Sequence, residues 1–128
     1  MKDLHSKLAF VQSLAPAVQS ATDTGSAIDL QGFESAVVEI ATGAIAGSGD
    51  FSYKLQESDT TTSGDFSDVA AADLQGTVPD TLEANSVYNQ GYIGSKRYIR
   101  HVLTKNSGTS IAAGITVVKG HGDDNPQA

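Results

Sequence analysis

Three histidines are the side chains of this sequence best suited to proton transfer or metal binding: His5, His101 and His121. A metal site needs ligands that lie close together on rigid elements. Only His101 lies in a segment with a strand pattern. Ile99 and Leu103, two residues away on either side, would fall on the same face of that strand as His101. We therefore expect His101 to be a strand histidine at the edge of the core or at an interface, rather than a metal ligand.

Nucleophilic catalysis has no signature in this sequence. The chain contains no Cys, which excludes thiolate nucleophiles, thiolate zinc sites and disulfides. Neither Gly-x-Ser-x-Gly nor His-Glu-x-x-His occurs. Serine, histidine and aspartate scattered along a chain do not by themselves predict a triad. We expect no enzyme activity, no catalytic residue, no metal and no cofactor.

Two glycine-containing segments resemble ligand-binding loops only in part. Residues 43–50 lack the Gly-Lys-Ser/Thr of a phosphate loop and precede a strand pattern, so we interpret them as a flexible connection between strands. Residues 59–68 carry oxygen side chains at alternate positions with Gly64 sixth, as in a calcium loop. The twelfth position is Ala70 instead of the bidentate Glu, so we predict a turn.

The charges are acidic overall but locally basic. Eight Lys and Arg stand against fifteen Asp and Glu, a net charge of −7, which disfavours free nucleic acid as a partner. Half of the cations lie within ten residues: Lys96, Arg97, Arg100 and Lys105. This basic stripe is either a solvated strand or a surface that docks onto an acidic partner. We expect Arg97 or Arg100 to pair with carboxylates, of its own domain or of the partner.

Short alternating segments separated by Gly, Asn, Asp and Pro predict an all-β fold. In residues 51–57, the side chains of Phe51, Tyr53 and Leu55 fall on one face of a strand. Further strand patterns occupy residues 17–21, 27–30, 36–41, 66–69, 87–92, 98–103 and 111–118. About eight short strands within 128 residues indicate one sandwich or barrel domain.

The two ends differ from this domain, which we place at residues 15–120. Residues 1–14 carry helix-like apolar spacing before Pro16, and we predict an N-terminal arm, a short helix or extended, that packs on a neighbour or on its own sandwich. Its apolar side chains are Leu4, Leu8, Phe10, Val11 and Leu14. Residues 121–128 are predicted to be a flexible polar tail. Polar Gln12 and Ser13 argue against a signal peptide, and no apolar run is long enough to span a membrane.

Several segments resemble, in order, a family of small structural proteins of tailed bacteriophages, the capsid cement or decoration subunits. They are residues 15–18 (Ala-Pro-Ala-Val), 29–33 (Asp-Leu-Gln-Gly-Phe), 55–59 (Leu-Gln-Glu-Ser-Asp), 68–69 (Asp-Val), 72–76 (Ala-Asp-Leu-Gln-Gly) and 91–100 (Gly-Tyr-Ile-Gly-Ser-Lys-Arg-Tyr-Ile-Arg). The last segment is the most specific of them. The resemblance covers about residues 10–120.

This resemblance implies a jelly-roll-like antiparallel β-sandwich that oligomerises, as a homodimer or homotrimer, on the exterior of a capsid after synthesis in the bacterial cytoplasm. It implies the major capsid protein as partner, with no direct contact to nucleic acid or membrane. Two alternatives stay open: a tail or baseplate accessory protein, and a host-glycan-binding module. The partner-binding residues expected are Leu4, Leu8, Phe10, Val11, Leu14, Lys96, Arg97 and Arg100.

Overall fold

Alternating apolar and polar residues build six long strands in this protein. A computed structural model describes residues 3–122. The long strands are β1 (Ala9–Gln19), β4 (Phe33–Ala46), β5 (Asp50–Ser58), β8 (Val87–Tyr92), β9 (Tyr98–Ser107) and β10 (Ser110–Gly122). The two-residue strands are β2 (Asp23–Thr24), β3 (Ile28–Asp29), β6 (Ser67–Asp68) and β7 (Leu74–Gln75). Within the described range, the helical elements are 3₁₀ turns of three residues.

The strands form two antiparallel sheets. Sheet A has the order β1-β10-β4-β8-β7, and sheet B has the order β2-β9-β5-β6, with β3 also paired to β9. With β2 and β3 taken as one interrupted strand and β7 set aside, this is the strand order of a jelly roll, in which two Greek keys form a double-sheet sandwich. The prediction of an all-β, jelly-roll-like sandwich is confirmed.

The core lies between the sheets, where alternate residues of both point inward. Sheet A contributes Val38, Ile40, Ile115 and Val117, and sheet B contributes Phe51, Leu55, Ile99 and Leu103, all almost fully buried. All eight of these side chains fall in the strand patterns that the sequence showed. Burial of this apolar area is the main force that holds the sheets together, at roughly 25 cal/mol per Å².

The predicted arm is wrong in its boundary. Strand β1 begins at Ala9 and pairs with β10 from Ala9↔Lys119 to Gln19↔Ile111. Leu14 belongs to the buried core, and Val11 packs against it. The helix-like spacing of the leucines is overridden because pairing with β10 satisfies the backbone of residues 9–14 while Val11 and Leu14 cover the core. Only residues 3–8 precede the sandwich in the described range, with one 3₁₀ turn at His5–Lys7.

Two other boundaries also shift. Strand β4 continues through Gly43 to Ala46, so the flexible connection predicted over residues 43–50 shrinks to a turn at residues 47–49. Gly47 and Ser48 both have positive φ there, and the turn carries the chain from sheet A to sheet B. At the other end, β10 continues to Gly122, past the predicted domain end at residue 120. The rest of the predicted tail, residues 123–128, lies outside the described residues.

Candidate functional site

A Ser-His-Asp cluster joins the two sheets. His101 on β9 points into the sandwich and is 1% exposed. Ser13 Oγ on β1 lies 2.5 Å from His101 Nδ1, and Asp23 Oδ2 on β2 lies 2.7 Å from His101 Nε2. This convergence is not predictable from the sequence, because Ser13 and Asp23 are far from residue 101 in the chain and only the sandwich brings them together.

The hydrogen bonds define the protonation of this cluster. The Asp23 carboxylate can only accept, so His101 Nε2–H donates to it, and Nδ1 then accepts from the Ser13 hydroxyl. Burial lowers the pKa of His101, although the hydrogen bond that His101 donates to Asp23 opposes this effect. His101 is therefore neutral near pH 7, with a serine hydroxyl on one side and a carboxylate on the other.

The backbone of Gly25 packs against this cluster. A Cβ on Gly25 would collide with the His101 ring and would lie 3.2 Å from Ser13 Oγ. The Gly25 N–H donates to the His101 carbonyl oxygen at 3.0 Å, so that donor is already engaged. Gly25 thus covers the Ser13–His101 contact. The physical role of the cluster is to provide hydrogen-bond partners for both nitrogens of a buried imidazole and to link β1, β2 and β9.

Two cations of the predicted basic stripe form ion pairs within the chain. Arg97 donates from Nε and Nη2 to the two carboxylate oxygens of Asp29, at 3.0 and 2.9 Å. These hydrogen bonds from Arg97 hold the pKa of Asp29 at about 2. Lys96 Nζ lies 3.0 Å from Asp59 Oδ2. The expectation that Arg97 or Arg100 pairs with a carboxylate is confirmed for Arg97, and docking of the stripe onto a partner stays a prediction.

Arg100 is held by neutral groups. Its Nε donates to Gln56 Oε1 at 2.8 Å, and its Nη1 donates to Ser63 Oγ at 2.9 Å. The guanidinium lies 4.3 Å from the centre of the Phe66 ring, within the range of a cation–π contact. This set of contacts fastens the turn at residues 63–66 to the outer face of sheet B.

The outer face of sheet A is largely apolar, and several of its large apolar side chains are exposed in the described residues. Its cross-strand register gives two rows that cross four strands and a third that crosses three. The first row is Phe10, Val118, Val37 and Gly91; the second is Gln12, Thr116, Glu39 and Asn89; the third is Gly114, Ala41 and Val87, with Pro16 against Gly114. Beyond them Val18 pairs with Ala112. Among these described residues, Glu39 is the single charged side chain.

Large exposed side chains concentrate on this face. Phe10, Val18 and Val87 are 64, 70 and 68% exposed. Scattered exposed apolar residues are ordinary, but several on one nearly uncharged sheet face mark an interaction surface. We call this surface, made of the rows above, the outer A face.

The outer face of sheet B has the opposite character. Lys54 Nζ lies 3.2 Å from Asp68 Oδ1, and Gln56 Nε2 donates to the same oxygen at 3.0 Å. These contacts, the Gln56 hydrogen bond first, lower the pKa of Asp68. Charged and amide side chains thus bond to one another along sheet B, as expected of a solvated face.

A groove indents the outer A face next to the segment that precedes β1. Its volume is about 680 Å³. Leu4, Lys7 and Leu8 form one wall, and Gln75 and Gly76 of the β7 edge form the other. The floor consists of Val118, Val37 and Gly91 with their neighbours.

The predicted apolar contact residues divide between this surface and the core. Phe10 lies on the outer A face, and Leu4, 65% exposed, lies on the wall of the groove. Leu8 approaches Gly120, where an added Cβ would lie 3.3 Å from its Cδ2. Leu14 and Val11 face the core of their own sandwich and are not available to a partner. The sequence pattern could not separate the two sets, because it was interpreted with a helical period.

Within residues 3–122, no three His, Asp or Glu side chains converge as a group that could hold a metal ion. Over the same residues, the structure has no helix of the length and apolarity needed to cross a membrane.

No protein-family model matches this chain, and no curated protein matches it in sequence. Among solved structures, it is similar to the SPBc2 prophage-derived protein YomS, with 11% identity and a TM-score of 0.57, over 88% of this chain and 91% of that one. This likeness shows a shared fold. A chain of infectious bursal disease virus, Gx strain, matches 94% of this chain with 14% identity and a TM-score of 0.49, and this chain spans 33% of its length. PirA matches with 14% identity and a TM-score of 0.44, over 94% of this chain and 99% of PirA.

Proposed function

We propose that this chain is a virion structural protein that binds the assembled capsid of a tailed bacteriophage as a cement or decoration subunit. The observation that carries this proposal is the outer A face, where Phe10, Val18 and Val87 are exposed around a single charge, Glu39. Subunits of an assembly contact one another through surfaces of this kind, which are depleted of charge at their centre. The proposal is one of binding rather than catalysis.

Two further findings support a phage origin. The segment at residues 91–100 resembles the cement and decoration family, and YomS, a prophage-derived protein, shares the fold. The negative net charge of −7 disfavours contact with packaged nucleic acid, which fits a place on the capsid exterior.

Stabilisation would follow from mass action. A subunit that binds the assembled lattice, and not its free components, shifts the equilibrium toward the lattice. Weak contacts that repeat over many symmetry-related copies reinforce one another, so that no single contact has to be strong.

Sedimentation with purified particles tests the proposal. Heads and tails of the phage that encodes this chain are separated, mixed with labelled protein and centrifuged through sucrose. We expect the protein to travel with heads, and the Phe10→Ser/Val87→Ser variant to need roughly tenfold more protein for equal occupancy. Lys54→Ser, on the outer face of sheet B, is the matched control and should bind like the native chain. Absence from heads would overturn the proposal, and binding to tails alone would favour the tail accessory alternative instead.

A further inference from the structure

We propose that the outer A face is the docking site for a single amphipathic α-helix, supplied by the capsid partner and lying along β10 and β4. The inference rests on the proposed function and names the part of the partner that this face takes. The relief of the face, its scarcity of hydrogen-bonding groups and the positions of its charges select this occupant.

The outer A face is a trough whose floor is formed by the two central strands, β10 and β4. Apart from Glu39, no side chain of this floor is larger than valine. The floor residues are Ala112, Gly114, Thr116, Val118 and Gly120 on β10, and Ser35, Val37, Glu39, Ala41 and Gly43 on β4. The flanks carry the exposed Phe10 and Val18 on β1 and the exposed Val87 on β8.

Two hollows follow each other along this trough. The first is the groove described above, and the second, of about 450 Å³, lies between Pro16 and Val18 of β1 and the floor as far as Gly43. From Gly120 to Ala112 the floor extends about 27 Å, and the backbones of β1 and β8 lie about 14 Å apart across it. An α-helix of about 18 residues is about 27 Å long and about 10 to 12 Å wide with its side chains. The trough therefore has the dimensions of one helix.

The backbone of the occupant also points to a helix. Strands β10 and β4 are paired on both sides within sheet A, so they offer no backbone groups to a segment that lies on their face. An extended segment would leave its own N–H and C=O groups against a mostly apolar floor, whereas an α-helix satisfies them internally. A flat sheet would meet Phe10 and Val87 on the flanks before it reached the floor between them.

The helix comes from another protein. Within residues 3–122, the helical elements of this chain are 3₁₀ turns of three residues. Each such turn spans about 6 Å, far less than the length of the trough. A second copy of the described residues therefore supplies no element of the required shape.

Each hollow contains one charged side chain, and the two charges have opposite signs. Among the described residues that line the hollows, Lys7 is the one Lys, Arg, Asp or Glu of the first, and Glu39 is the one of the second. No ion pair of the described residues involves either side chain. A helix in the trough therefore meets a positive charge near one end and a negative charge near its middle.

These charges define the chemistry of the partner helix. Leu8 lies over Gly120, and Lys7 directly precedes Leu8. Glu39 lies beside Thr116, about 14 Å from Gly120 along β10. That distance corresponds to between two and three helical turns. We therefore expect an apolar helix face with an acidic side chain at the Lys7 end and a basic side chain two to three turns away, and these charges set the direction of the helix.

Fluorescence anisotropy with a synthetic peptide tests the helix site on the purified full-length chain. The probe is a fluorescein-labelled amphipathic peptide of about 18 residues, with leucine and alanine on one face and with Glu and Lys about eight residues apart on that face. We expect saturable binding, weakened at least about tenfold when two central residues are replaced by proline, because proline breaks the helix. Absence of binding, or equal binding of the two peptides, would overturn the inference.

Two substitutions test whether this peptide lies in the trough, with thermal melting as the check that each variant is folded. Thr116→Phe fills the floor and should weaken binding at least about tenfold, whereas Lys54→Phe, on the outer face of sheet B, is the matched control and should bind like the native chain. The native chain should prefer the peptide with Glu and Lys over one with Glu at both positions, and Glu39→Lys should reverse this preference. Equal effects of the two Phe variants, or an unchanged preference in Glu39→Lys, would overturn the assigned site.

Photo-crosslinking on phage heads separates this inference from the proposed function. Benzoylphenylalanine in place of Val87, on the β8 flank, should crosslink to partner residues spaced by three and four, the period of a helix face. Crosslinks to alternate residues would indicate a strand and overturn the helix, while the proposed function stands. Absence of the protein from heads would overturn the proposed function, and the peptide titrations would then still decide on the helix site.

Discussion

At the scale of single residues, the most informative side chain is the buried His101. Its two ring nitrogens are saturated by Ser13 and Asp23 from two other strands, at 2.5 and 2.7 Å. A polar group buried without partners would cost roughly 1 to 3 kcal/mol. The positions of β1 and β2 at this point therefore depend on the protonation state of the His101 imidazole.

Acid should destabilise the fold through His101. Burial lowers its pKa below the ordinary value of 6.5, so below pH 6.5 the unfolded chain binds a proton that the folded chain does not. The free energy of unfolding is then fully maintained above that pH and falls below it, by about 1.4 kcal/mol for each unit of pKa shift. Urea unfolding at a series of pH values measures this slope.

Two variants identify the origin of that slope. His101→Gln cannot titrate, so the fall in stability just below pH 6.5 should be smaller than in the native chain. Asp23→Asn removes the group that opposes the pKa shift, so the fall should continue to lower pH. Equal slopes in the native chain and His101→Gln would contradict this account.

At the scale of elements, β1 differs most from what the sequence predicted, because part of the predicted arm is a strand of the sandwich. It forms the edge of sheet A, and register shifts interrupt it around Ser13 and around residues 15–16. Irregularities and Pro16 on an edge strand discourage pairing with further chains along the edge. Contacts with a partner are therefore expected through the outer A face rather than through the edge of the sheet.

Two truncations should separate the first residues from β1. A chain that starts at Ala9 keeps all of β1 and should fold with nearly native stability. A chain that starts at Ala15 loses Val11, Leu14 and their pairing with β10, and should lose at least about 3 kcal/mol. Denaturation in urea at low protein concentration, followed by circular dichroism, measures the difference. Equal stability of the two truncations would mean that residues 9–14 do not belong to the sandwich.

At the scale of the whole molecule, the topology joins distant parts of the chain. The first long strand pairs with the last, and β10 also pairs with β4. Each such pairing must close a long loop before it brings any stabilisation. Stability is therefore gained late and cooperatively, when both sheets have formed around the shared core.

Refolding should accordingly be slow for a chain of this size. Proteins dominated by non-local strand pairing fold in milliseconds to seconds, whereas helical bundles of similar size fold in microseconds to milliseconds. The chain has four Tyr and no Trp, so stopped-flow tyrosine fluorescence after dilution from urea is the suitable measurement. A main phase complete within microseconds would contradict the importance of these long-range pairings.

The alternating pattern alone predicted much of this fold. Residues 51–57, 87–92 and 98–103 were assigned to strands and lie in β5, β8 and β9, because a period of two is a local property of the chain. The identity of the residues also excluded thiolate chemistry, and the position of His101 in a strand was correct. Such features depend on neighbours a few residues apart, which a single sequence displays directly.

The tertiary structure alone decided how these strands face one another. That Phe10 lies outside while Leu14 is buried follows from the register of β1 on β10 and from the shifts within it. The meeting of Ser13, Asp23 and His101, and the row from Phe10 to Gly91, join residues that are about 80 positions apart. Local propensity carries no information about such pairs, because the free energy that selects them comes from burying two sheets against each other.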